Sequence, residues 1–277
     1  MEYKALTGLS WEQLARLSIM VTAEIGSLTR PGAKKPPAVN LFHSVVMVVA
    51  LMRRNLVQEV AGGIFGCSQP TVSRRWDLLR PVIGKVLASS IPDPVQVLGR
   101  RGTALVDGSV CPTWDWNAIP DLFSGKAGYP GMNVQIAAAL NGDVAAIGPV
   151  PLHGARHDAY AFEASGMKAL LENSRDTDDT AADLGYIGVD GIGIVPFKRV
   201  GGRNLEDWQR DFNADLSKIR SAVEHAVAKV KCWRMLSEEG GRYRCPIGKY
   251  ESMLGKRSPP QPHVAVLVTL CASGGLA

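Results

Sequence analysis

The feature that most limits how this chain can fold is a change of hydrophobic period near residue 101. Before it, apolar residues recur at the three- and four-residue steps of helices; after it they come in short runs broken by Gly, Pro or Asn-Gly, the pattern of strands. Residues 9–25 read as an amphipathic helix started by Ser10, and 40–55 as an apolar helix. Residues 57–65 and 69–80 give two more helices, separated by Gly66-Cys67-Ser68. Residues 26–38, with three Pro, two Gly and two Lys, read as a linker, and the Pro- and Arg-bearing stretch 91–101 as a domain boundary. Beyond it, strands are predicted over 103–110, 132–140 and 143–150, with Asn141-Gly142 as a hairpin turn between the last two. A helix over 159–172, strands at 180–182 and 192–196, and a long helix from about 205 to 236 follow. The apolar stripe of that last helix is Leu205, Trp208, Phe212, Leu216, Ile219, Val223, Val227 and Val230. An all-α domain over 1–95 and a mixed α/β domain over 101–254 are therefore expected, with 255–277 as an atypical tail.

Charge sharpens this division. The net charge is +5, yet residues 1–100 carry 12 basic and 6 acidic side chains, 101–200 carry 7 and 12, and 201–277 carry 12 and 8. An acidic middle between basic flanks suits a protein that holds a polyanion at its edges and a metal at its centre, although ordinary surface variation would look similar. The five cysteines, Cys67, Cys111, Cys232, Cys245 and Cys271, are odd in number and lack C-x-x-C spacing. That argues against a disulfide framework or a zinc site and points to a reducing cytosol. No signal peptide is expected, because charged residues interrupt the first thirty positions. The most apolar run, Leu41 to Met52, has 12 residues. A span needs roughly 20, so a buried helix is expected and no membrane association.

The segment 58–76 reads as two helices meeting at a tight turn. Gly66 can end the first in a left-handed conformation, Ser68 can cap the second, and Pro70 is tolerated in its first turn. Val72, Trp76 and Leu79 share an inward face. The opposite face presents Pro70, Thr71 and Arg74, flanked by Ser73 and Arg75, which is the short polar, basic surface that major-groove docking needs. A plain helical hairpin with solvated arginines fits the same residues.

Three carboxylates stand at telling points of the second half. Asp107 lies within A-L-V-D-G-S, an apolar strand that abruptly presents an acid, Asp183 follows T-A-A in A-A-D-L-G-Y, and Glu224 sits on the last helix beside Val223. Two-metal cleavage of polynucleotides uses a few such acids converging from strands and a helix, and Mg²⁺ (or Mn²⁺) prefers oxygen ligands. Arg220, Glu224 and Lys231, spaced by four and seven, align on one helix face, with cations on either side of the acid. Taken singly, each acid also reads as a turn, cap or solvated residue; the ordered trio is the signal.

These motifs, taken in order, resemble the DDE transposases of bacterial insertion sequences, in the group related to the Harbinger elements. The matching pieces are 51–74, V-D-G-S (106–109), S-G-K-A-G-Y-P-G-M-N-V-Q (124–135), G-A-R-H-D (154–158), A-D-L-G-Y-I-G (182–188), I-V-P-F-K (194–198) and 220–236, spanning about residues 40–250. The resemblance implies a ribonuclease-H-like mixed-sheet catalytic domain, preceded here by an all-α domain with a helix-turn-helix at about 57–80. It implies that Asp107, Asp183 and Glu224 are the metal-binding catalytic triad, and that Lys126 and Lys198 are basic positions near DNA. His157-Asp158 also matches, and Asp158 reads better as a cap of the helix beside it than as a metal ligand. Asp178, Asp179 and Asp190 read as solvated loop acids. Trp114, Trp116 and Trp233 could stack on unpaired bases, although burial is the simpler reading.

The resemblance thus implies a nucleoid-associated cytoplasmic transposase. It would bind terminal inverted repeats and target DNA as a homo-oligomer and carry out metal-dependent strand cleavage and transfer. The alternatives are a catalytically silent DNA-binding protein derived from a transposase, and an unrelated metal-dependent hydrolase whose N-terminal helices only pack. The tail departs from the family pattern after about Leu254. Three prolines in 259–262 forbid a helix there, and the tail reads equally as a degenerate end or a genuine variant.

Overall fold

The computed structural model describes residues 3–26, 28, 36–88, 92–114, 119–175 and 179–241. The expectations for the tail 255–277, for Trp116, for Asp178 and for much of the 26–38 linker lie outside the described residues. The chain divides into two compact units, one built from the residues up to 91 with those from Lys231 onward, the other from Pro92–Val230.

In the first unit, α1 (Tyr3–Thr7), α2 (Trp11–Ile25), α3 (Leu41–Arg54), α4 (Gln58–Phe65) and α5 (Gln69–Leu87) pack together. Ser10 starts α2 with a full capping box shared with Gln13, and Asn40 caps α3 through the His43 amide. Ser44 through Met52 of α3 are all buried, which makes this helix the centre of the unit. Each fully buried Val, Leu or Met contributes about 1.5–3 kcal/mol, so these residues dominate its stability. Among the described residues, no helix is long and apolar enough to cross a membrane. Trp233 is fully buried beside Met235 and Leu236, with the Arg53 guanidinium 5.3 Å from its ring centre.

The turn between α4 and α5 follows from two glycines. Gly66 adopts the left-handed conformation (φ 66°), which ends α4. A Cβ on Gly62 would come 2.6 Å from the Cys67 carbonyl oxygen, so only glycine lets the chain turn back this closely. Val72, Trp76 and Leu79 face inward as the spacing predicts. Ser68 occupies the cap position of α5, but its hydroxyl meets Thr71 Oγ1 (3.1 Å) rather than a backbone amide, which corrects the expected side-chain cap.

The second unit is a mixed sheet with helices. It begins with α6 (Pro94–Leu98), followed by β1 (Ala104–Pro112), β2 (Phe123–Ser124), β3 (Tyr129–Ala138), β4 (Val144–Ile147) and β5 (Leu152–His153). Then come α7 (Asp158–Ala164), α8 (Met167–Ser174), β6 (Thr180–Ala181) and α9 (Asp207–Lys231). β1 runs antiparallel to β3 and parallel to β6; β2, β4 and β5 pair with β3. Ala104, Val106, Ala137, Phe162, Met167, Leu171, Ala182 and Tyr186 form one core between the sheet and α7–α8.

Several expectations change. The helix over 159–172 is two helices, because Gly166 turns left-handed (φ 80°) between them. The strand over 192–196 reduces to one bridge, Ile194 to Ala181. The last helix ends at Lys231, and Trp208, Phe212 and Ile219 of its stripe remain exposed while Leu216, Val223 and Val230 are buried. Phe197 packs edge-on against Trp208 and Phe212 instead, at 4.9 and 5.3 Å.

Candidate acidic site

Parallel pairing of β1 with β6 fixes the first two acids. Leu105 lies opposite Ala181, so Asp107 and Asp183 each sit two residues past that pair, on adjacent segments and on one face. Ala104, Val106 and Ala182 face α7 and α8, so this acidic face is the opposite one. Arg175, nearly buried, holds the two strand starts together by donating to the carbonyls of Gly102 (2.9 Å) and Asp179 (3.2 Å).

The two acids are anchored locally. Asp107 Oδ1 accepts the Gly108 amide (2.9 Å), and Asp183 Oδ1 accepts the Gly185 amide (2.8 Å), capping the short 3₁₀ turn Leu184–Tyr186. The capping and site readings of Asp183 are therefore compatible. Burial, then the charge of Asp183, then that of Asp158, push the Asp107 carboxyl up to about 6, against the opposing pull of Arg220 on α9.

Asp158 approaches from the other face. It is the first residue of α7, and its carboxylate does not cap that helix; Asn133 Nδ2 donates to Oδ1 (2.8 Å) and Lys126 Nζ to Oδ2 (3.2 Å). This corrects the expected capping role. It can lie there because residue 108 is glycine: a Cβ at that position would stand 2.1 Å from Asp158 Oδ1. Lys126 is held protonated above its ordinary range: partial burial works against this but is outweighed by Asp158, then by Asp183 and Asp107.

Glu224 is exposed on α9, one turn beyond Arg220. Among the described residues, no three His, Cys, Asp or Glu side chains are grouped closely enough to hold one metal ion. Asp107 and Asp183 are thus brought together with Asp158, Lys126 and Arg220, while Glu224 is not drawn in. Lys198 is exposed on a loop pinned to α9 by Asn213, which bonds both the amide (2.8 Å) and the carbonyl (3.0 Å) of Phe197. Lys231 ends α9 in the other unit. On α5, Arg74 is exposed and bonds Thr71 Oγ1 (3.2 Å), while Thr71, Ser73 and Arg75 are half-buried. Burial, then Arg74, lower the Arg75 guanidinium from its ordinary value. Trp114 is about half exposed, Asp179 is exposed, and Asp190 pairs with Lys168.

The sequence reading missed Asn133, Gln135 and Tyr186, which form a buried polar chain ending on Asp158. The available signal was N-V-Q inside an otherwise apolar strand: two amides on one strand face.

A mixed sheet with one acid within β1, a second just past the parallel strand β6 and a cation-bearing helix beside them suits an acid-site nuclease. Residues 115–270 match the DDE superfamily endonuclease model, and the chain belongs to that family. It is 28% identical over 253 residues, 90% of each chain, to a putative transposase for insertion sequence element IS112 of Streptomyces albus G. It is 24% identical over 250 residues, 86% of each chain, to a probable transposase for insertion sequence element IS702 of Microchaete diplosiphon. No solved structure matches.

Proposed function

We propose that this chain is an insertion-sequence transposase that binds the ends of its element and cuts and joins DNA strands with a divalent metal. The observation that carries the reading is the parallel β1–β6 register, which brings Asp107 beside Asp183, with Arg220 of α9 opposing the charge of Asp107. The strand order β4-β3-β1-β6, with Ile194 bridging onward from β6, suits a ribonuclease-H-like sheet. The relatives' transposase descriptions point the same way.

Asp107, Asp183 and Glu224 would hold Mg²⁺ or Mn²⁺. The donor chemistry fits, since these are hard carboxylate oxygens, and Asp107 is raised first by burial and then by the neighbouring charge of Asp183, which a bound cation would offset. Bound ions would activate the attacking water and stabilise the leaving 3′ oxygen. Arg220 and Lys126 would hold the scissile phosphate beside the acids, and Lys198 would extend this basic rim. The α4–α5 pair would act as a helix-turn-helix, with Thr71, Ser73, Arg74 and Arg75 at the major groove and Arg74 reaching base edges. Lys231 would contact the backbone. Joining two ends implies a homo-oligomer on DNA.

The position of Glu224 favours a second reading, a catalytically silent DNA-binding protein derived from a transposase. Incubating the protein with duplex carrying its element's inverted repeat separates the two. Mg²⁺-dependent nicking at the repeat supports the transposase, and tight end binding without nicking supports the silent protein.

A further inference from the structure

Across the face of β3 turned toward α7 runs a single directed chain of hydrogen bonds. The Tyr186 hydroxyl donates to Gln135 Oε1 (2.8 Å), Gln135 Nε2 donates to Asn133 Oδ1 (3.0 Å), and Asn133 Nδ2 donates to Asp158 Oδ1 (2.8 Å). All three side chains are buried, at 0%, 0% and 3% exposure. Buried amides at such positions are costly unless fully satisfied, and a satisfied chain fixes each amide in one orientation. Here every donor points toward Asp158. Burial, aided by the charges of Asp158, Asp107 and Asp183, keeps the Tyr186 hydroxyl protonated far above the usual phenol range, so its end of the chain remains a donor.

The chain also joins the elements that carry two acids. Tyr186 ends the 3₁₀ turn that Asp183 caps, and Asp158 begins α7. Gly108, opposite Gln135 in the β1–β3 register, leaves the gap into which the Asp158 carboxylate fits beside Asp107. The second oxygen of Asp158 takes the Lys126 ammonium. Without that carboxylate, Lys126 would stand as an unopposed cation close to Asp107 and Asp183 and would repel a divalent ion from them.

We propose that Tyr186, Gln135 and Asn133 are positioning residues that hold Asp158 as an oriented carboxylate beneath the acidic site, where it neutralises Lys126 and so preserves the site's affinity for a divalent cation. The inference rests on the metal-site reading of Asp107 and Asp183. Partners of this indirect kind typically change metal affinity by about 10–100-fold when removed.

The test is Mn²⁺ binding to the full chain without DNA, by calorimetry, alongside thermal unfolding of each variant. Asp158→Asn is expected to weaken Mn²⁺ about tenfold. Tyr186→Phe is expected to weaken it several-fold, and the double variant no further than Asp158→Asn alone, because the tyrosine acts only through Asp158. Asn133→Ser breaks the chain one link nearer and should give the same loss, which keeps the test decisive if Tyr186→Phe does not fold. A Tyr186→Phe protein that loses thermal stability but binds Mn²⁺ like the wild type overturns the proposal, as do losses that add in the double variant. If Asp107→Ala abolishes binding while Asp158→Asn leaves it intact, the metal site stands and this inference alone falls. A wild-type chain that binds no Mn²⁺ overturns both.

Discussion

The carboxylate of Asp158 fills the space that a side chain at Gly108 would need, with a Cβ there standing 2.1 Å from Asp158 Oδ1. The glycine after Asp107 is thus a packing requirement of the acidic site. Gly108→Ala should displace Asp158 from Asn133 and Lys126 and cost about 1–3 kcal/mol, the usual range for overpacking. Chemical denaturation measures this. A variant as stable as the wild type would show that Asp158 yields freely.

A second prediction concerns pH. The folded Asp107 carboxyl is raised from 3.8 to about 6, so the folded state binds this proton more tightly than the unfolded chain. The stabilisation is complete below about pH 4 and is lost as pH rises through about 6. Two units correspond to about 3 kcal/mol. With divalent metals chelated, Asp107→Asn should therefore be more stable than the wild type at pH 7.5, and the advantage should shrink toward pH 4. Tm measured across this range checks it; a less stable variant at pH 7.5 would contradict the electrostatic account of the site.

DNA recognition gives the third. Arg74 is exposed at the start of α5, whereas Arg75 is half-buried. Arg74→Ala should weaken binding to the element's ends by about 1–3 kcal/mol more than binding to random duplex, the worth of a bidentate base contact. Arg75→Ala should reduce both alike. Competition binding at fixed salt measures the difference, and equal losses for Arg74→Ala would refute the base-reading role.

Helices α2 to α5 of the first unit were legible because punctuation and period agree, with Ser10 before the α2 stripe and Gly66 between α4 and α5; the five-residue α1 is too short to show a period. The placement of Asp107 within β1 and of Asp183 just after β6 was legible too, since an acid abruptly interrupts each apolar run. Asp158 was misread because its spacing before a helix is that of a cap, and only the gap at Gly108 in a neighbouring strand shows where the carboxylate goes. The last helix misled differently. Trp208, Phe212 and Ile219 keep the helical period of buried Val223 and Val230, yet stay exposed, because periodicity marks a face and not what covers it. Short strands such as Phe123–Ser124 carry too few residues to show a period at all.

The central claim is that Asp107, Asp183 and Glu224 carry metal-dependent strand cleavage. The most direct measurement is Mg²⁺-dependent nicking of duplex bearing the element's inverted repeat, by the wild type and by Asp107→Ala, Asp183→Ala and Glu224→Ala, with DNA affinity measured in parallel. The account predicts that the wild type nicks at the repeat boundary. Each variant should lose cleavage at least about a hundredfold, as loss of electrostatic transition-state stabilisation implies, while binding DNA within a few-fold of the wild type. Normal cleavage by Asp107→Ala or Asp183→Ala would contradict it, and normal cleavage by Glu224→Ala with none by Asp158→Ala would move the third acid from α9 to the start of α7.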